Sequence, residues 1–136
     1  MTFTAGHAGD GKAVVGRGLR LLQETRKLVA RGWCQGSDAR DSQGASVQPW
    51  DGQAASWSLL GALVAAVEHE AEVSGEMPLE ELAAVLSPFA DLVDVDSLAA
   101  WNDDPGRSQA EVVSVLDRAA RMYAASSANS AEPSMN

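Results

Sequence analysis

The sequence predicts a mainly α protein: a compact bundle of about five helices with a small β-hairpin inserted between helices 1 and 2. Three observations lead there. Apolar residues recur at helical spacing in several separate segments of the 136-residue chain. One stretch, residues 33–53, breaks that pattern with small and polar residues. Hydrophobic content of 46% is enough for one buried core, and the length is too short for two ordinary domains.

The elements follow in chain order. Residues 12–31 place Val15, Leu19, Leu22 and Val29 on one helical face, with arginines opposite. Gly16 and Gly18 weaken its first turn, and Gly32 stands where a helix C-terminus favours glycine. Residues 1–11 are expected to be a flexible leader. In WCQGSDARDSQGASVQPWDGQ (33–53), Asp41-Ser42-Gln43-Gly44 suits a turn between two short extended pieces. Residues 54–71 carry Trp57, Leu59, Leu60, Leu63, Val64 and Val67, apolar nearly all round, as in a central helix with an exposed acidic end, EHEAE. Pro78 opens a helix over 78–90 with Leu79, Leu82, Val85, Leu86 and Phe89 on one face, which Pro88 ends or kinks. A short helix over 95–101 precedes a last one over 109–124, built on Val112, Val115, Leu116, Ala119 and Met122. The single helical domain thus spans 12–124, and the small, polar tail 125–136 is expected to be disordered.

Composition excludes several functions. The net charge is −9, and residues 68–104 hold eleven carboxylates with no Lys or Arg, a segment that repels phosphate backbones; no nucleic-acid partner is expected. The basic residues Lys12, Arg17, Arg20, Arg26, Lys27 and Arg31 concentrate in the first helix, where they can pair with that acidic segment within one chain or between two. The longest apolar run, around LLGALVAAV (59–67), falls far below the roughly 20 residues of a membrane span. The start of the chain lacks the order of a signal peptide, so a cytoplasmic protein with no membrane partner is expected. A single cysteine, Cys34, removes any internal disulfide and any cysteine-based zinc cage.

Motif fragments give little chemistry. GHAGDGKA (6–13) has P-loop spacing, but too few residues precede it for a strand, and Ala13 replaces the magnesium-binding Ser/Thr. His69-Glu70 starts a zinc-protease pattern that Val73 ends, and His7 is the only other imidazole, so no metal site is expected. No nucleotide or flavin fingerprint is present, and no cofactor is expected. Cys34 lacks a base at any telling spacing. Four tryptophans (33, 50, 57, 101) outnumber Phe and Tyr together, and they fit core anchors or the walls of a pocket between hairpin and helices.

One stretch stands out: WNDDPGRSQAEV (101–112). Asp104-Pro105-Gly106-Arg107 is a turn, and Ser108 with Glu111 forms a capping box in which each reaches the other's free amide. Trp101, Asn102, Asp103 and Arg107 remain unabsorbed, although a cap and an ion pair could take them up too.

Three separated pieces, W-C-Q-G with A-R-D (33–36, 39–41), W-S-L-L-G-A-L (57–63) and W-N-D-D-P-G-R-S (101–108), resemble an uncharacterised bacterial family, domain of unknown function family 6197. Its members read W-x-Q-G-x-x-A-R-D-x-x-G, then C-x-x-G-A-[LI], then N-D-x-P-G-[RT]. The resemblance runs from the first helix to about residue 120. It implies a small, mainly helical domain and singles out Trp33, Gln35, Gly36, Arg40, Asp41, Asn102, Asp103 and Arg107. Ser58 stands here where relatives carry cysteine, which places any shared thiol role in doubt.

Three readings follow. In the first, the chain binds a polar small molecule between the 33–53 hairpin and the 101–107 connector, either as a binding protein alone or as a cofactor-independent acid/base enzyme. Asp103 and Asp41 would then be the acid/base groups, with Trp33, Gln35, Arg40, Trp101, Asn102 and Arg107 holding substrate. In the second, it is an interaction module, a homodimer or an adaptor, that uses its segregated charge. In the third, the motif residues only fasten the hairpin to the bundle.

Overall fold

The structure, a computed structural model, describes the backbone over residues 2–93 and 97–131 and the side chains over 16–93 and 97–126. Its elements are α1 (Thr2–Arg31), β1 (Ala39–Asp41), β2 (Ala54–Trp57), α2 (Leu59–Ser74), α3 (Leu79–Ala90), α4 (Leu98–Asn102) and α5 (Gln109–Ala131). Five helices among the described residues, with one antiparallel strand pair between α1 and α2, make the protein mainly α as expected.

Several boundaries differ from the sequence reading. The first helix starts at Thr2, ahead of residue 12, because its glycines cost helix propensity, at most about 1 kcal/mol each, without forbidding helical backbone. The GHAGDGKA stretch is therefore helical and no strand leads into it. The last helix continues to Ala131, beyond residue 124. The start expected at 95 for the short helix, and the tail from 132, lie outside the described residues.

The largest shift concerns residues 54–57, expected as the start of the central helix. They form β2, and the helix begins only after Ser58, whose hydroxyl accepts the Gly61 amide at 3.0 Å. A serine side chain oxygen is a strong N-cap and Trp57 is a good strand residue, so local preferences support this boundary. The expected turn at 41–44 is present: the Gly44 amide donates to the Asp41 carbonyl at 3.0 Å, with Gly44 at φ +86°. Beyond it Arg40 bridges to Ser46, and β1 then pairs with β2 in register Ala39↔Trp57 and Arg40↔Ser56.

The core sits where α1 crosses α2, α3 and α5. Leu22, Val29, Leu59, Val85, Phe89, Val112, Leu116 and Ala119 are among its fully enclosed apolar residues. Leu79, expected on the buried face of its helix, is 66% exposed, because as the first residue of α3 it overhangs the end of the bundle. Charge also joins the helices. Arg17 donates to Glu81 at 2.7 Å, Arg20 to Glu70 at 3.1 Å and Arg26 to Asp117 at 2.6 Å. Glu70 and Glu81 are buried, so their arginines supply the counter-charge that burial demands.

Two glycines allow backbone to approach backbone. A Cβ on Gly61 would lie 1.8 Å from the Asp38 carbonyl oxygen, and one on Gly32 would lie 2.3 Å from that of Ala55. The hairpin thus lies directly on α2 and on the end of α1, with no side chain between. Gly61→Ala is expected to lower stability by about 2 kcal/mol or more, through overpacking against unyielding backbone. Urea titration checks this, with Gly52→Ala, a site with nothing within 4 Å, as the neutral control.

Candidate functional site

The candidate residues fall on three pieces of chain: the link from α1 into the hairpin (33–36), the hairpin turn, and the end of α4 with its connector. Asn102 is where two of these pieces meet α2. It has no solvent exposure, and its amide uses every hydrogen-bonding position it has. Its Oδ1 accepts the Trp33 indole Nε1 at 2.7 Å and the Leu59 amide at 3.0 Å. Its Nδ2 donates to the Cys34 carbonyl at 3.1 Å and to Asp103 Oδ1 at 3.0 Å. The Leu59 amide is one of the donors that a helix start leaves without an intrahelical partner, so Asn102 caps α2 alongside Ser58.

The neighbours complete a clip. Gln35 Nε2 donates to the Asn102 carbonyl at 3.0 Å and to the Asp104 carbonyl at 2.9 Å. The Gly36 amide donates to Asp103 Oδ1 at 3.0 Å, with Gly36 at φ +79°, where a side chain would be strained. Arg40 donates to the carbonyls of Gln35, at 3.2 Å, and Gly44, at 2.9 Å, and so ties the hairpin turn to the link. Arg107 donates from Nε to the Trp101 carbonyl at 2.9 Å, and its guanidinium lies 3.9 Å above the Trp101 ring. The capping box expected from Ser108 and Glu111 is formed, with both reciprocal bonds, at 3.0 and 3.2 Å. The connector turn closes through the Arg107 amide on the Asp104 carbonyl.

The structure therefore brings together Trp33, Gln35, Gly36, Asn102 and Asp103, with Arg40 one carbonyl away. It does not bond Asp41 to them. Asp41 Oδ1 accepts the amides of Gln43 and Ala45, each at 2.9 Å, inside its own turn. Arg107 and Trp101 pair with each other on the connector. Three hollows of the described surface lie elsewhere: between α1 and α2, between α1 and α5, and on the hairpin around Ser37, Asp38 and Gln48. None of the three is lined by a candidate residue. Of the four tryptophans, Trp57 is buried, Trp33 and Trp101 pack partly buried against the core, and Trp50 is exposed.

Three supports of this region were not singled out by the sequence reading. Gly61 could have been noticed as a lone glycine in the most apolar segment. Gln109, whose Nε2 donates to the Val29 carbonyl at 2.7 Å and closes the end of α1, carries no local signal, since its partner lies 80 residues away. Ser58, noted only where relatives carry cysteine, is the α2 cap.

Cys34 is buried beneath this clip, its thiol directed to the Ser37 carbonyl at 3.6 Å. Burial pushes the thiol above its ordinary pKa, opposed by a hydrogen bond with Ser56 and the charge of Arg40. Among the described residues no group of three or more His, Cys, Asp or Glu is placed to hold a metal ion. No helix among them is long and apolar enough to cross a membrane.

The family model described as "Family of unknown function (DUF6197)" matches residues 17–122. No curated protein and no solved structure matches the chain.

Asn102→Ala would strand the Trp33 indole, the Leu59 amide and the Cys34 carbonyl in the interior. At about 1–3 kcal/mol for each unsatisfied group, a loss of roughly 3–5 kcal/mol is expected in urea titration. The Cys34 thiol should react with a chromogenic disulfide at least about 100-fold more slowly in the folded protein than in denaturant. A raised thiol pKa means that the folded state holds the proton more tightly. Its stabilisation is complete below the ordinary value of 9.0 and is lost as pH rises beyond it. Comparison with Cys34→Ala between pH 7 and 10.5 isolates that slope.

Proposed function

The chain belongs to the DUF6197 family, a family of unknown function, and from that premise we propose that this protein is a protein–protein interaction module of adaptor type. In this reading the W-N-D-D-P-G-R stretch is a fastener, and the working surface is the corner where α2 turns into α3. The observation that carries the proposal is the trio Val73, Met77 and Leu79, which are 69%, 47% and 66% exposed. Large apolar side chains grouped within seven residues at one corner leave apolar area in water that a partner would cover.

The hydrogen bonds of the candidate site support the same reading. Asp103 Oδ1 already holds a backbone amide and the Asn102 amide, and Asp41 Oδ1 holds two turn amides. Gln35 and Asn102, the expected orienting amides, spend their donors on backbone carbonyls and on Asp103. Gln35, Asn102 and one oxygen of Asp103 are thus engaged in positioning one another, and one oxygen of Asp41 holds its own turn.

The test is affinity purification from the source cells with the wild-type chain and with Val73→Ser/Met77→Ser/Leu79→Ser. The three sites are exposed, so the variant should keep its circular dichroism and melting temperature. At least one protein is expected to be retained by the wild type and depleted roughly tenfold or more by the variant. A retained set that is the same for both chains would overturn the reading.

A further inference from the structure

The exposed trio does not stand alone. Glu72, Glu76 and Glu80 are exposed among its members in the sequence, and Glu68 is one helical turn before Glu72. The other two carboxylates of the region, Glu70 and Glu81, turn inward to Arg20 and Arg17. Those two ion pairs separate the corner electrostatically. They neutralise its inner side, facing α1, and leave its outer side acidic. Among the described residues none of Glu72, Glu76 and Glu80 takes part in an ion pair.

Resting on the interaction-module reading, we propose that the α2–α3 corner docks a basic amphipathic helix of another protein. Apolar side chains of that helix would cover Val73, Met77 and Leu79, while its Lys and Arg residues would face Glu72, Glu76 and Glu80. A helix fits better than an extended segment because the corner is built from helix ends and exposes no strand edge. An incoming strand would find no ladder for its own amides and carbonyls.

Other occupants fit less well. An anionic lipid surface or a nucleic acid meets repulsion from the acidic rim. A second copy of this chain offers fewer complementary charges than a basic helix would. Arg17, Arg20 and Arg26 are in ion pairs and Arg40 is held by two carbonyls, while the exposed Lys27, Arg118 and Arg121 are spread over α1 and α5.

The experiment is fluorescence anisotropy with labelled 18-residue peptides at low and high salt. One peptide alternates Leu and Lys at helical spacing, a second replaces Lys by Glu, and a third replaces Leu by Ser. The Leu/Lys peptide is expected to bind, and to bind about tenfold or more weakly to Val73→Ser/Met77→Ser/Leu79→Ser. Its binding should also fall several-fold in Glu72→Gln/Glu76→Gln/Glu80→Gln and in high salt, because an exposed acidic rim is screened. The Leu/Glu and Ser/Lys peptides should bind far less.

Equal binding of the Leu/Lys peptide to wild type and both variants would reduce the effect to the net charge of −9 and overturn the proposal. So would no binding, or stronger binding to vesicles containing phosphatidylserine. If the affinity purification still yields a corner-dependent partner while the peptide fails, the module stands and only this partner chemistry falls. Concentration-dependent sedimentation lost in the apolar variant would assign the corner to a second copy and overturn the proposal.

Discussion

A buried amide with four hydrogen bonds is the constraint on which this fold turns. Asn102 is fully enclosed, and an amide in that position must have both its donors and its acceptor lone pairs matched. The matches come from three pieces of chain: the indole of Trp33 and the carbonyl of Cys34 from the link, the Leu59 amide from the start of α2, and Asp103 beside it. No single piece could satisfy the group. The link, the second helix and the connector must therefore arrive together. Cooperativity of this kind turns a mainly helical bundle with a loose polar insertion into one rigid unit. Three of the residues that look most like chemistry in the sequence, Trp33, Asn102 and Asp103, are used by this constraint.

Segregated charge has a similar explanation in part. The basic face of α1 and the acidic middle of the chain meet within one molecule, through Arg17 with Glu81 and Arg20 with Glu70. Both carboxylates are buried, so each needs its arginine, and the pairs fix how α1 lies against α2 and α3. Glu72, Glu76 and Glu80 sit outside that seam, exposed. The charge pattern therefore has two layers, one that closes the bundle and one that faces solvent, which net charge alone does not separate.

Much of the fold was legible in the sequence because its signals are local. The helical stripes, the glycine after Arg31, the Asp41–Gly44 turn and the Ser108/Glu111 box each depend on residues within one turn of one another, and each is present. The start of α2 was not legible. Ala54–Trp57 is apolar enough for helix or strand, and only pairing with Ala39–Asp41 selects the strand. The exposure of Leu79 was hidden for a related reason. Periodicity gives the face of a helix but not where its end passes the edge of the core. At the candidate site, the residues were legible and their use was not. Only the distances show the Trp33 indole, the Gln35 amide nitrogen, both ends of the Asn102 amide and one oxygen of Asp103 turned to neighbours.

The fastener and the exposed corner lie at opposite ends of one helix. Leu59, held by Asn102, begins α2, and Val73 lies near its end, about 21 Å away at 1.5 Å per residue. Each end has its own attachment, the amide clip at the start and the buried Glu70, with Arg20, near the finish. The neighbouring Arg17–Glu81 pair fixes the first turn of α3 in the same way. The corner is thus positioned by contacts that the clip does not supply. That separation gives the two kinds of residue different physical signatures. Loss of a clip residue lowers the stability of the whole bundle, because it strands groups in the interior. Loss of an exposed corner residue removes only surface that the fold itself does not use. Under the proposed function, stability and association would therefore report on different residues of the same small domain.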